Sequence, residues 1–100
     1  MPIRGRKQRL TDNNISNSPS DSGVYVLSNY GEVMYIGKAE GSGGIKSRLQ
    51  AAKRDDTPCM KIATSFQIEC CKDPTKRENQ LIDQYKKTHA QLPRHNDIIG

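Results

Sequence analysis

One hundred residues suffice for one small domain with a modest core and leave no room for a second. Only 33% of the chain is hydrophobic, no window reaches the length of a membrane-spanning helix, and the N-terminus lacks the apolar core of a secretory signal, so a cytoplasmic protein without a membrane partner is expected. The formal charge of +5 points to a polyanion as partner, while Cys59, Cys70 and Cys71 form no CxxC pair and match no metal-ligand spacing, which argues against disulfides and structural zinc.

Residues 1–22 divide into a basic cluster (Arg4, Arg6, Lys7, Arg9) and the polar stretch "TDNNISNSPSDS", which has almost nothing to bury. This reads as a mobile arm and linker, either solvated or laid along a phosphate backbone, and its removal should spare the fold. From Gly23 the pattern changes to two β-prone runs, "GVYVLS" and "EVMYIG", joined by Asn29-Tyr30-Gly31. A three-residue loop centred on Tyr30 and closed by a glycine sets Tyr25 opposite Tyr35, Leu27 opposite Val33 and Gly23 opposite Gly37. Val24, Val26, Met34 and Ile36 then form an apolar surface on the other face.

The Gly-rich "KAEGSGG" follows, and then "IKSRLQAAKR", where Ile45, Leu49 and Ala52 recur at helical spacing and Arg48 lies at the edge of the stripe. Residues 55–65 contain a turn, "DDTP", and a stretch too short to assign. "FQIECC" at 66–71 alternates as a third strand, and Asp73-Pro74 opens a helix whose stripe is Leu81, Ile82 and Tyr85. The domain proper therefore spans 23–100.

Glu78 continues that stripe, three and four residues before Leu81 and Ile82, where a carboxylate is unusual. Thr75-Lys76-Arg77-Glu78 fits a Ser/Thr-x-x-Glu capping box, and a lone carboxylate also suits a divalent cation completed by water and phosphate. The two readings differ in where the side chain points. Tyr25 and Tyr35 are open to two readings as well. Aromatic pairs across strands are ordinary packing, but the nearby Gly23 and Gly37 clear one end of the face, and Lys38 at that end could lower a phenol's pKa from about 10.

"GVY", "YIG", Arg48, Glu78 and Asn96, taken in this order, resemble the GIY-YIG nuclease superfamily from Gly23 to Asn96. "GVYVL", "YIGKAE", "ENQLI" and "LPRHN" are especially similar to its branch in bacterial nucleotide excision repair, the N-terminal nuclease module of the incision subunit. The resemblance implies an α/β (α+β) fold, with a three-stranded antiparallel sheet flanked by helices. It also implies a metal-dependent endonuclease that hydrolyses phosphodiester bonds in duplex, branched or damaged DNA, alone or guided by a targeting protein. Glu78 would hold Mg²⁺ or Mn²⁺, Tyr25 or Tyr35 would act as general base helped by Lys38, Arg48 would bind the scissile phosphate, and Asn96 would tie the C-terminal segment to the site. Gly37, Lys38 and Arg48, with the basic arm, would contact the nucleic acid.

The chain departs from the family pattern at Ala52, where His or Tyr often follows the arginine, in the longer "EGSGGI" connection, and at His95, which replaces an aromatic. A module that keeps the fold and binds nucleic acid without cutting is the competing reading, and Ala52 is its main support.

Overall fold

The computed structural model describes residues 3, 6–55, 58–91, 93 and 96, so Arg4 and His95 lie outside the described residues. In chain order the elements are β1 (Gln8–Arg9), α1 (Asp12–Ser16), β2 (Gly23–Asn29), β3 (Glu32–Ala39), α2 (Gly44–Arg54), α3 (Pro58–Ile62), β4 (Ser65–Cys70) and α4 (Pro74–His89). The strands form one antiparallel sheet in the order β1-β4-β2-β3. Among the described residues the sheet therefore has four strands where three were expected, the extra one coming from the N-terminal segment.

β2 is central and buried along nearly its whole length because both faces of the sheet are covered. On one face Tyr25, Leu27 and Phe66 pack with Ile45 and Leu49 of α2, Ile15 of α1 and Met60 of α3. On the other, Val24, Val26 and Ile36 pack with Leu81 of α4, flanked by Ile82 and Tyr85. The helical stripes read from the sequence on α2 and α4 are the faces that make these contacts.

The hairpin closes differently from the expectation. Tyr30 (φ 46°) and Gly31 (φ 91°) form a two-residue turn with Asn29 paired to Glu32, a conformation that suits the twist of the strands but holds a tyrosine in the left-handed region. The backbone N–H of Tyr30 donates to Thr64 Oγ1 at 2.9 Å, which helps to hold the turn. A two-residue turn alone would put Tyr25 and Tyr35 on opposite faces. A β-bulge at Met34 corrects the offset, because Ser28 pairs with Val33 while Leu27 already pairs with Tyr35. Tyr25 consequently faces Gly37, Gly23 faces Ala39, and Met34 joins the tyrosine-side core instead of the opposite face.

Residues 8–16 are built into the fold, in contrast to the arm and linker expected over 1–22. Gln8 and Arg9 pair with Phe66 and Ser65, and Ile15 is only 2% exposed. The polar residues around Ile15 serve the backbone: Asn14 N donates to Thr11 Oγ1 (3.1 Å), Asn14 Nδ2 to the Arg9 carbonyl (2.8 Å) and Ser18 Oγ to the Asn14 carbonyl (3.1 Å). Further along, the Pro19 and Asp21 carbonyls accept from Lys46 N and Ile45 N, each at 3.0 Å, and so satisfy amides that the first turn of α2 leaves without helical partners. A composition that suggests disorder here encodes caps and turns around one buried isoleucine.

A buried ion pair fixes α4 to the sheet. Arg77 donates from Nε to Glu69 Oε2 (2.6 Å) and from Nη2 to Glu69 Oε1 (3.1 Å), and the hydrogen bond to Glu69 raises the pKa of Arg77 further. This two-point contact sets the rotation of the helix one residue before Glu78. No helix among the described residues is long and apolar enough to cross a membrane.

Candidate active site

Gly37 and Lys38 are consecutive residues on the outer strand β3, so their side-chain positions point to opposite faces of the sheet. On the Gly37 side, the rings of Tyr25 and Tyr35 lie with centroids 6.0 Å apart and planes inclined at 45°. Both rings extend over Gly37. A Cβ there would lie 2.6 Å from Tyr35 Cε2 and 2.7 Å from Tyr25 Cζ and Oη. The glycine is thus the floor on which two phenols converge, which is why it must lack a side chain. Gly23 has a different reason. A Cβ on it would run into the Glu69 carbonyl oxygen and lie 2.7 Å from Ile45 Cδ1, so it allows β4 and α2 to close on β2.

Gly37→Ala is therefore expected to displace both rings at a cost of about 1–3 kcal/mol, as in other overpacked cores. The measurement is urea unfolding beside an activity assay. Unchanged stability would show that the rings move aside freely.

On the Lys38 side, the ammonium donates to Thr75 Oγ1 in the first turn of α4 at 2.8 Å and pairs with Glu40 Oε1 at 3.3 Å. Lys38 is thereby carried to the face that α4 covers, away from the rings it was expected to adjoin. Glu78 lies one turn further along α4. It is half-buried, and its pKa is raised because burial penalises the carboxylate. The Lys38 charge partly offsets that effect and the Glu40 charge adds to it.

No capping box forms at Thr75. The cap is Asp73, whose Oδ1 accepts from Lys76 N at 3.1 Å, with Pro74 at the first helical position, so Thr75 is inside the helix and its hydroxyl holds Lys38. Among the described residues Glu78 makes no hydrogen bond or ion pair. A half-buried carboxylate without such a partner suits a cation that brings its own water. No group of three or more His, Cys, Asp or Glu gathers among the described residues, so Glu78 would act as a single protein ligand.

Asn96 grips β3 from its outer edge: its Oδ1 accepts from Ile36 N (2.8 Å) and its Nδ2 donates to Ile36 O (2.9 Å). The strand bearing Tyr35, Gly37 and Lys38 is thus tied to the C-terminal segment. Arg48 is exposed on α2, a turn beyond Ile45, while Ala52 packs against the tyrosine-side core and contributes bulk in place of a polar group. Arg9 lies on β1, at the edge of the sheet opposite β3, so two strand spacings of about 4.8 Å separate its strand from that of Tyr25 and three from the strand bearing Tyr35 and Lys38. Arg6 and Lys7, just before it, are exposed.

The structure thus brings Tyr25, Tyr35 and Gly37 together on one face and Lys38, Glu78, Thr75 and Glu40 on the other, with Asn96 of the C-terminal segment holding the edge of the strand between. Arg48 stands on the helix above the first group. Sequence reasoning missed Glu40 and the tether from Thr75. For Glu69, the available signal was a carboxylate in an alternating strand at a position facing a helix.

The sequence matches no protein-family model and no curated protein. In three dimensions the chain is similar to the GIY-YIG N-terminal endonuclease domain of UvrC from Thermotoga maritima bound to its catalytic divalent cation, magnesium. The TM-score is 0.65 at 23% identity, over 77% of this chain and 94% of that domain. An asparagine-to-alanine variant of the same domain matches at TM-score 0.62 and 21% identity, over 85% of this chain and 96% of that one. A tyrosine-to-phenylalanine variant matches at 0.61 and 21%, with the same coverage. The chain has the fold of the GIY-YIG endonuclease domain.

Proposed function

We propose that the protein is a divalent-metal-dependent endonuclease that hydrolyses phosphodiester bonds in DNA. The observation that carries this reading is Glu78, a half-buried carboxylate without a hydrogen-bond or ion-pair partner among the described residues, on a fold whose solved counterpart holds magnesium as its catalytic cation. The basic charge of the chain supports a polyanionic substrate. Bound at Glu78, Mg²⁺ or Mn²⁺ would supply Lewis-acid stabilisation of charge growing on phosphate oxygens.

The chain's own residues would do the rest. Tyr25 or Tyr35, ionised to the phenolate and held over Gly37, takes a proton from the attacking water. The Arg48 guanidinium, exposed on α2, pairs with the scissile phosphate and neutralises charge in the transition state. Lys38 keeps a positive charge beside Glu78, and Asn96 holds β3 in place. Arg6, Lys7 and Arg9 add phosphate contacts on the far side of the sheet, where they grip the duplex away from the cut. Arg4 extends the same cluster in the sequence.

Supercoiled plasmid is expected to become nicked circles with Mg²⁺ or Mn²⁺ and to remain supercoiled with a chelator, because one carboxylate site supports one displacement at a time. Plasmid that is retarded on a gel but never nicked would favour a binding module of the same fold, the reading that Ala52 supports.

A further inference from the structure

We propose that Thr75 is a positioning residue: with Glu40 it tethers the Lys38 ammonium away from the Glu78 carboxylate, and so keeps that carboxylate available to a divalent cation. This deepens the reading of Glu78 as the cation ligand and rests on it. Lys38 and Glu78 are opposite charges near enough for each to feel the other, yet they make no direct ion pair. Thr75 and Glu78 are three residues apart on one face of α4, where Cβ atoms are about 5–6 Å apart. A lysine whose ammonium already reaches Thr75 Oγ1 needs only a small rotation of its flexible stem to reach Glu78.

Left to itself, the ammonium would make that rotation. The Glu78 carboxylate is half-buried, while Glu40 has 52% of its side chain exposed, and a charge pair is stronger where water screens it less. The 2.8 Å hydrogen bond to Thr75 is the contact that opposes the collapse, because it holds the ammonium one turn short of Glu78. The hydroxyl suits this role because it is a neutral acceptor and leaves the lysine charge in place. Glu40 steadies the same nitrogen from the solvent side.

The test is a Mn²⁺ titration, read as free Mn²⁺ by electron paramagnetic resonance, on wild type, Thr75→Val, Thr75→Ser, Lys38→Met, the Lys38→Met/Thr75→Val pair and Glu78→Gln. Thermal melts confirm that each variant is folded. Thr75→Val is expected to weaken Mn²⁺ binding about fivefold, the competition expected from one partly screened ion pair. Thr75→Ser should bind as wild type does, and adding Thr75→Val to Lys38→Met should change nothing further. Unchanged affinity in Thr75→Val, or equal loss with and without Lys38, overturns the tether while leaving Glu78 as the ligand. If wild type and Glu78→Gln bind Mn²⁺ equally, the metal reading itself falls, and the tether with it.

Discussion

Glu78→Gln is expected to abolish nicking while DNA binding stays at least as tight and the melting temperature is equal to or above that of wild type. The amide nearly preserves the shape of the side chain but removes the charge that attracts the cation. Stability follows from the raised pKa. Burial makes the folded protein hold the Glu78 proton more tightly than the unfolded chain does, so the native state binds more protons between the ordinary glutamate value and the raised one. Wild-type stability contributed by this group therefore falls as pH rises through that window and stays lower above it. Glutamine, which never ionises, removes the decline, so the gap in melting temperature should open with increasing pH and close when Mg²⁺ is added to wild type. A variant that melts earlier yet cuts normally would mean that Glu78 serves the helix and that the active site lies elsewhere.

Deleting residues 1–20 is expected to unfold the domain or lower its melting temperature by about 15 °C or more. The deletion removes the β1 pairing, buried Ile15 and the Pro19 carbonyl that accepts from Lys46 N. Burial of one isoleucine contributes about 1.5–3 kcal/mol and each hydrogen bond roughly 0.5–1.5 kcal/mol. A loss of about 4 kcal/mol is a large part of the roughly 5–15 kcal/mol that holds a small domain folded, and in a chain of this size each kcal/mol shifts the midpoint by about 4–8 °C. Circular dichroism melts of the two chains check this. Matching curves would return the segment to the status of a dispensable arm and leave the packing of Ile15 without energetic consequence.

Periodicity made much of this legible. The two hairpin strands, β4, α2 and α4 all follow from apolar spacing and from Asp73-Pro74, and Glu78 stood out because it continued a buried stripe. The register was not legible, since it depends on a tyrosine accepting a left-handed turn position and on a bulge at Met34, neither of which has a reliable local signature. Errors of one residue in the turn and one in the strand cancel, so the two phenols still share a face, though diagonally. The N-terminal segment was misread because one buried isoleucine gives no periodic signal and the Asn and Ser side chains that support it look the same in a linker. Thr75 matched a capping box by sequence, and only the path of Lys38 across the sheet reveals that its hydroxyl is used elsewhere.

The grip of Asn96 on Ile36 has a consequence for solubility. Among the described residues β3 ends the sheet, and an outer strand offers its backbone amides and carbonyls as a template on which another molecule's strand can add, the first step towards aggregation. The carboxamide of Asn96 presents one donor and one acceptor with the spacing of a peptide group, and it occupies Ile36 N and O in mid-strand. A strand arriving from a neighbouring molecule would meet those two positions already taken. The residue that steadies the strand of the candidate site thus also shields the edge of the sheet, and losing it would expose a sticky border in a protein whose charge otherwise keeps its copies apart.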